Sequence, residues 1–183
     1  MIFITVGMQV PFNRLMRSMD LWCEATGYDG RIFAQTGKLS DDDYVPQNFE
    51  HVEELTPDEF RMHLDNATFV VSHAGMGTII STLMLAKAIV LLPRRASLGE
   101  QRNDHQFGTV AQFADRDGVY VAMTEKELPA IIDFLVSAQV STAGAAPSQY
   151  AEISLIRALR EELLGDERTA TEIPPERSVK VPE

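Results

Sequence analysis

Cysteine is nearly missing from this chain. Of 183 residues only Cys23 carries a thiol, which excludes an internal disulfide and fits a reducing compartment. Cys23 sits on an amphipathic helical pattern, so a packed thiol is expected there and not a nucleophile. Long apolar runs are missing as well, and none approaches a membrane span. The N-terminus, Met-Ile-Phe-Ile-Thr, has no basic segment before it and reads as a strand, not a signal peptide. Positive charge is scarce: 16 Lys and Arg against 27 Asp and Glu give a net charge of −11 and a pI of about 4.8. Such a field disfavours nucleic acid and anionic membrane as general partners.

Several chemical signatures are absent too. There is no Walker A sequence and no Gly-x-Ser-x-Gly elbow. His51, His63, His73 and His105 lack metal-ligand spacing, and no His/Cys cluster exists. A dinucleotide fingerprint needs a third glycine where Ile80 stands. NAD, a catalytic metal and a covalent serine are therefore unsupported, and no cofactor is expected. No internal repeat is present.

What is there is ordinary in bulk: 45% hydrophobic and 23% charged residues, enough for one domain with a real core. The charge is unevenly placed. Asp20 to Glu59 holds eleven acids and two bases, whereas Lys87 to Phe107 holds four bases and two acids. A basic loop on an acidic protein suggests a small anionic ligand, or simply a solvated loop.

One stretch organises the rest. Thr68-Phe-Val-Val-Ser-His-Ala-Gly-Met-Gly-Thr78 reads as a strand, a glycine turn and a helix start. Unpaired N–H groups and the helix dipole make such a turn suited to phosphate. The same glycines would also serve close packing of strand on helix.

In chain order, Ile2 to Val6 reads as a buried strand broken at Gly7. Phe12, Leu15, Met16, Met19 and Trp22 recur at helical spacing, stopped by Gly27. Strands are expected at Arg31 to Gln35 and Phe49 to Glu53. Thr56-Pro57-Asp58-Glu59 is a capping box, with Phe60 and Leu64 facing the core. After the central stretch come a strand at Ala88 to Leu92 and a loop from Arg94 to Arg102. A helix capped by Asn103 and a strand at Val119 to Ala122 follow. A second capping box, Thr124 to Glu127, precedes a helix with Leu128, Ile131, Ile132 and Leu135. Residues 1–140 form the expected main folded domain. Residues 141–165 are expected to be a linker and an amphipathic C-terminal helix, either docking a partner or covering its own core. Residues 166–183 are expected to be a disordered tail.

Continuous apolar strands alternating with helices predict an α/β fold, a Rossmann-like parallel sheet with helices on both faces. Ligands of such sheets bind beyond the strands' carboxyl ends. Gly7, the Gln35-Thr36-Gly37-Lys38 turn, His73 to Thr78, and Arg94 to Gln106 would then converge.

Val6-Gly7, Gln35 to Lys38, Ser72 to Thr78, Leu92-Pro93 and Asn103-Asp104-His105-Gln106 occur in that order. Together they resemble the C-terminal domain of glycosyltransferase family 28, the nucleotide-sugar half of a GT-B enzyme, over Met1 to about Val136. The chain begins directly on the first strand, so it is expected to be a stand-alone subunit of a two-component transferase. The loop Arg94 to Gln106 is similar to PssE-type exopolysaccharide subunits, whose pair resembles a glucuronosyltransferase. A dolichol-pathway N-acetylglucosaminyltransferase subunit is the other kind.

The resemblance implies roles. Gly75, Met76, Gly77 and Thr78 would hold the donor diphosphate, and Asp104, His105 and Gln106, with Asn103, would read sugar hydroxyls. His73 would neighbour the phosphates or be a satisfied strand-end histidine. Arg94 or Arg95 would add charge to the diphosphate or face solvent. Leu55 and Thr56 would lie near the uracil, and Gly7 and Thr36 would be donor contacts or plain turn residues. His73 and His105 are the catalytic candidates, with no general base assigned. Many members carry a ribose-binding glutamate at the position of Ser81, so that contact differs here.

The expected function is an inverting, metal-independent UDP-sugar glycosyltransferase subunit in exopolysaccharide synthesis. It would be cytoplasmic and peripheral at the inner membrane, through a membrane-associated partner that binds a lipid-linked sugar acceptor. A non-catalytic nucleotide-sugar-binding module is the second reading, and a sugar-nucleotide epimerase ranks below both.

Overall fold

The computed structural model describes residues 1–7 and 10–138. The expected linker, C-terminal helix and tail lie outside them. Six strands, β1 (Ile2–Thr5), β2 (Ile32–Gln35), β3 (Glu50–Val52), β4 (Phe69–Ser72), β5 (Ala88–Leu91) and β6 (Val119–Val121), form one sheet in the order β3-β2-β1-β4-β5-β6. Every pairing is parallel, with Ile4 opposite both Ala34 and Val71. Strand order reverses between β1 and β4, the switch point where such sheets open a crevice at their carboxyl ends.

Helices α1 (Asn13–Thr26), α2 (Pro57–Asn66), α3 (Met76–Met84), α4 (His105–Phe113) and α5 (Leu128–Ser137) cover both faces, as the apolar runs predict. Side chains alternate along each strand. Ile2, Ile4, Val71 and Val90 pack with Leu15, Met19 and Trp22 of α1 and Ile132 of α5. Phe3, Val70, Ile89 and Leu91 pack on the other face with Leu64 of α2, Ile79 and Leu83 of α3 and Phe113 of α4. Among the described residues no helix is long and apolar enough to cross a membrane.

The local signals act as read. Helix α1 ends at Gly27, left-handed at φ 60°, whose N–H reaches the Cys23 carbonyl. Thr56 and Glu59 close the capping box of α2. Cys23 is buried in the core, and burial, followed by the charge of Asp20, pushes its thiol up. Two boundaries differ from expectation. The cap of α4 is Asp104, with Asn103 one position earlier accepting from the His105 amide at 3.3 Å. Thr124 and Glu127 do meet, at 2.9 Å, but they close a turn and α5 starts after it.

Asp20 ties the segment after β2 onto α1. It is 2% exposed, and its carboxylate accepts from Tyr44 Oη at 2.6 Å and from the amides of Gln47 and Asn48. Burial alone would raise its pKa, but these donors outweigh burial and hold it below 3.8. The stability it contributes is present above the unfolded value and is lost as pH falls through the folded one. Asp20→Asn is expected to cost about 3 kcal/mol at neutral pH and to cost less at pH 3. Urea unfolding of both proteins at the two pH values measures the difference. Equal penalties at both would contradict the charge-based account.

Candidate functional site

The crevice at the switch point is built by the ends of β1 and β4. Beyond β1 the chain turns at Gly7, left-handed at φ +76°. Beyond β4 it runs through His73 and Ala74 into α3, whose N-cap is Gly75. The Gly75 amide is taken by the His73 carbonyl at 2.8 Å, and the Gly75 carbonyl accepts from Ile79. The amides of Met76, Gly77 and Thr78 find no acceptor among the described residues. Three unpaired donors at the positive end of a helix dipole are matched to an anion. Above Gly77 the space is open: a Cβ there would meet nothing within 4 Å.

His73 lies between the two glycine turns. A Cβ on Gly75 would come within 2.2 Å of its Nε2, and one on Gly7 within 3.0 Å of its Cε1. Only glycines allow this approach. Burial, then the charge of Arg94, pushes the His73 imidazole down to about 4, so the ring is neutral near pH 7. His73 also lines a cleft of about 280 Å³ with Val6, Gly7, Val10, Arg94, Gln101 and Gln106.

Gln106, 3% exposed, fastens two loops below the cleft. Its Oε1 accepts from the amides of Ala74 at 3.1 Å and Arg94 at 2.9 Å. Its amide nitrogen has no acceptor among the described residues.

The two arginines depart from expectation. Arg94 neither faces solvent nor extends a free arm. It is 3% exposed and donates to the carbonyls of Val6, Val10, Pro11 and Glu100, with its guanidinium 4.4 Å from the Phe12 ring centre. A charge whose donors are spent on four carbonyls holds the turn after β1 in place. Its field still reaches the cleft. Arg95 points elsewhere, its Nη2 on the Met123 carbonyl at 2.8 Å. Glu100 fixes the whole loop, with both oxygens on Arg14 and one also on the Arg95 amide.

Thr36 is fully buried, and its one hydroxyl proton lies within reach of the carbonyls of Gly37 at 3.0 Å and Val52 at 3.2 Å, beside β3. It is a turn residue outside the cleft. Thr56 spends its side chain on the α2 cap. Asn103, Asp104 and His105 are exposed at the start of α4; Asp104 accepts from the Ala96 amide, and Asn103 Oδ1 meets His105 Nδ1. His105 is close enough for its charge to act on His73. Sequence reasoning missed Val10, which belongs to no motif, and did not single out Gln101 within the Arg94 to Gln106 loop. A larger hollow of about 910 Å³ runs along α1 and α5; Leu98, Gly99 and Glu100 of the loop after β5 line it, but no candidate donor-binding residue does. Among the described residues no group of three or more His, Cys, Asp or Glu side chains converges.

Comparisons agree with this architecture. The chain is 19% identical to the solution structure of ALG13, with a TM-score of 0.55, covering 89% of this chain and 96% of that one. With MurG of Acinetobacter baumannii it shares 18% identity at a TM-score of 0.56, over 76% of this chain and 42% of that. The glycotransferase of kitacinnamycin is 18% identical at a TM-score of 0.51, over 76% of this chain. The chain spans only 37% of that protein's length. No curated protein matches. At these identities the structures speak for the fold alone. Residues 1–156, however, match the Glycosyltransferase family 28 C-terminal domain, and the chain belongs to that family.

Proposed function

We propose that this chain is the donor-binding, catalytic subunit of a two-component inverting glycosyltransferase. It takes a UDP-sugar, and a membrane-associated partner supplies a lipid-linked sugar acceptor. The setting that best fits the Arg94 to Gln106 loop is exopolysaccharide synthesis with a glucuronosyl-type donor. The observation that carries the reading is the set of unpaired amides on Met76, Gly77 and Thr78, on the turn that follows His73 at the end of β4. There they would hold the diphosphate and stabilise the charge that grows on the leaving UDP. Fixed donors of this kind need no metal. Rate would come from that stabilisation and from aligning the anomeric carbon with the partner's acceptor.

The test has two arms. UDP-glucose, UDP-glucuronate and UDP-N-acetylglucosamine are titrated into the purified chain by calorimetry, and at least one is expected to bind. Transfer to a lipid acceptor is then measured for the chain alone and co-expressed with an acceptor-type membrane subunit. Activity is expected only in the pair. Robust transfer by the single chain would contradict the two-component arrangement. A non-catalytic nucleotide-sugar-binding module is favoured by one observation, Ser81 on α3 in place of the ribose-binding glutamate. Donor binding with no transfer in any pairing would select it.

A further inference from the structure

Ser72 has one hydroxyl proton, and it goes to the Thr5 carbonyl at 2.8 Å. The 3.2 Å contact between Ser72 Oγ and His73 Nδ1 must therefore run the other way, from the ring N–H to the hydroxyl oxygen. The Thr5 carbonyl also acts on this ring as an acceptor. The neutral imidazole thus keeps its proton on Nδ1 and leaves Nε2 bare. Nε2 is the atom that a Cβ on Gly75 would strike, so it lies against the N-cap of α3, and the ring borders the cleft lined by Gly7, Arg94, Gln101 and Gln106. Donors without an acceptor among the described residues flank the ring: the Gln106 amide nitrogen in the cleft, and the amides of Met76, Gly77 and Thr78 on the turn that follows His73. A bare lone pair among them repels an anion, unless it acquires a proton.

We propose that nucleotide-sugar binding takes up a proton from solvent at Nε2 of His73, and that Ser72 is the positioning residue that enforces this by reserving the ring's own proton for Nδ1. The proposal rests on reading the cleft as a diphosphate site. The step is a simple protonation: an N–H bond forms at Nε2, the imidazole becomes imidazolium, and the new N–H donates to a non-bridging phosphate oxygen. No bond in the ligand changes.

The surroundings of the ring are consistent with this. Arg94 beyond β5 and His105 on α4 both disfavour its charge, as does the positive end of α3, and only the Thr5 carbonyl of β1 favours it. Among the described residues no carboxylate acts on it. A bound diphosphate brings the missing countercharge and raises the ring's pKa. Affinity should therefore climb as pH falls through the bound-state value, and stop climbing below about 4, where the free protein is already protonated.

UDP-glucose is the probe, because both of its phosphates are diesters and carry no titrating proton in this range. Calorimetry at pH 6.5 in two buffers of different ionisation heat is expected to show about one proton taken up per ligand bound. Affinity should rise up to about tenfold per pH unit on going from pH 8 to pH 5. His73→Gln keeps a donor but cannot titrate, so it should bind with buffer-independent heat and flat pH dependence. Ser72→Ala should lower the proton uptake while leaving His73 in place, and Ser72→Thr should restore it. Wild-type binding with buffer-independent heat, or uptake persisting in His73→Gln, overturns the proposal and leaves the donor site standing. Failure of the folded wild-type chain to bind UDP or any UDP-sugar overturns both.

Discussion

Gly75→Ala is expected to weaken UDP-sugar binding by about 100-fold, while the chain still folds. The added Cβ would lie 2.2 Å from His73 Nε2, 2.7 Å from Cε1 and 3.0 Å from Cδ2, so the ring must leave its place. It has little freedom to do so. Gly7 closes one side, and the Ser72 hydroxyl holds Nδ1 on another. Relief must come from the backbone at the start of α3, which moves the three free amides away from one another's focus. The folding cost is about 1–3 kcal/mol, as for other overpacked sites. Gly77→Ala is the control for folding, because it meets no atom and its helical position favours alanine by up to about 1 kcal/mol. Calorimetry with UDP-glucose and thermal unfolding separate the two effects. A Gly75→Ala protein that binds as tightly as wild type would show that the turn is only a packing device.

The parts of this site that sequence made legible are those set by neighbours along the chain. The strand, glycine turn and helix from Phe69 to Met84 follow from an apolar run, two small residues and a change of period. The Thr56 capping box and the Gly27 stop are equally local, and both appear as read. The parallel sheet follows from the alternation of strands and helices, because parallel strands need covered crossovers; the order of its strands does not. What was hidden depends on partners far away in sequence. In three of its four bonds, the carbonyls that claim Arg94 belong to residues 83 to 88 positions earlier. Nothing local distinguishes such an arginine from a phosphate ligand. Gln106 reads as a sugar-binding polar residue, yet its oxygen fastens Ala74 to Arg94, because β4 and β5 end side by side. For Thr36 the sequence left a donor contact and a plain turn residue open, for the same reason: β3 pairs with β2 and presents the Val52 carbonyl to its hydroxyl.

Arg94→Ala is expected to cost about 3–5 kcal/mol of stability, lowering the unfolding temperature by roughly 10 °C. The figure follows from what is left behind. Four backbone carbonyls, three of them on the chain between Val6 and Pro11, lose their charged donors in a buried setting. The Phe12 ring loses its cation as well. Burial pushes the guanidinium down to about 10, still well above neutral pH, so the charge is retained in the wild type and its loss is felt in full. Arg94→Lys decides between the two roles this residue has been given. A lysine keeps the charge but is a single point donor, and it cannot reach Val6, Val10 and Pro11 together. If Arg94 served the diphosphate by charge, the lysine variant would keep most of its affinity and all of its stability. If it is the clamp on the turn after β1, lysine should be nearly as destabilising as alanine. Nucleotide affinity should then fall in step with the loosened Gly7 turn, not ahead of it. Thermal unfolding of the three proteins, with UDP-glucose titrated at a temperature where all are folded, reads both quantities. Arg94→Ala within about 1 kcal/mol of wild-type stability but without UDP-glucose binding would return the arginine to the phosphates.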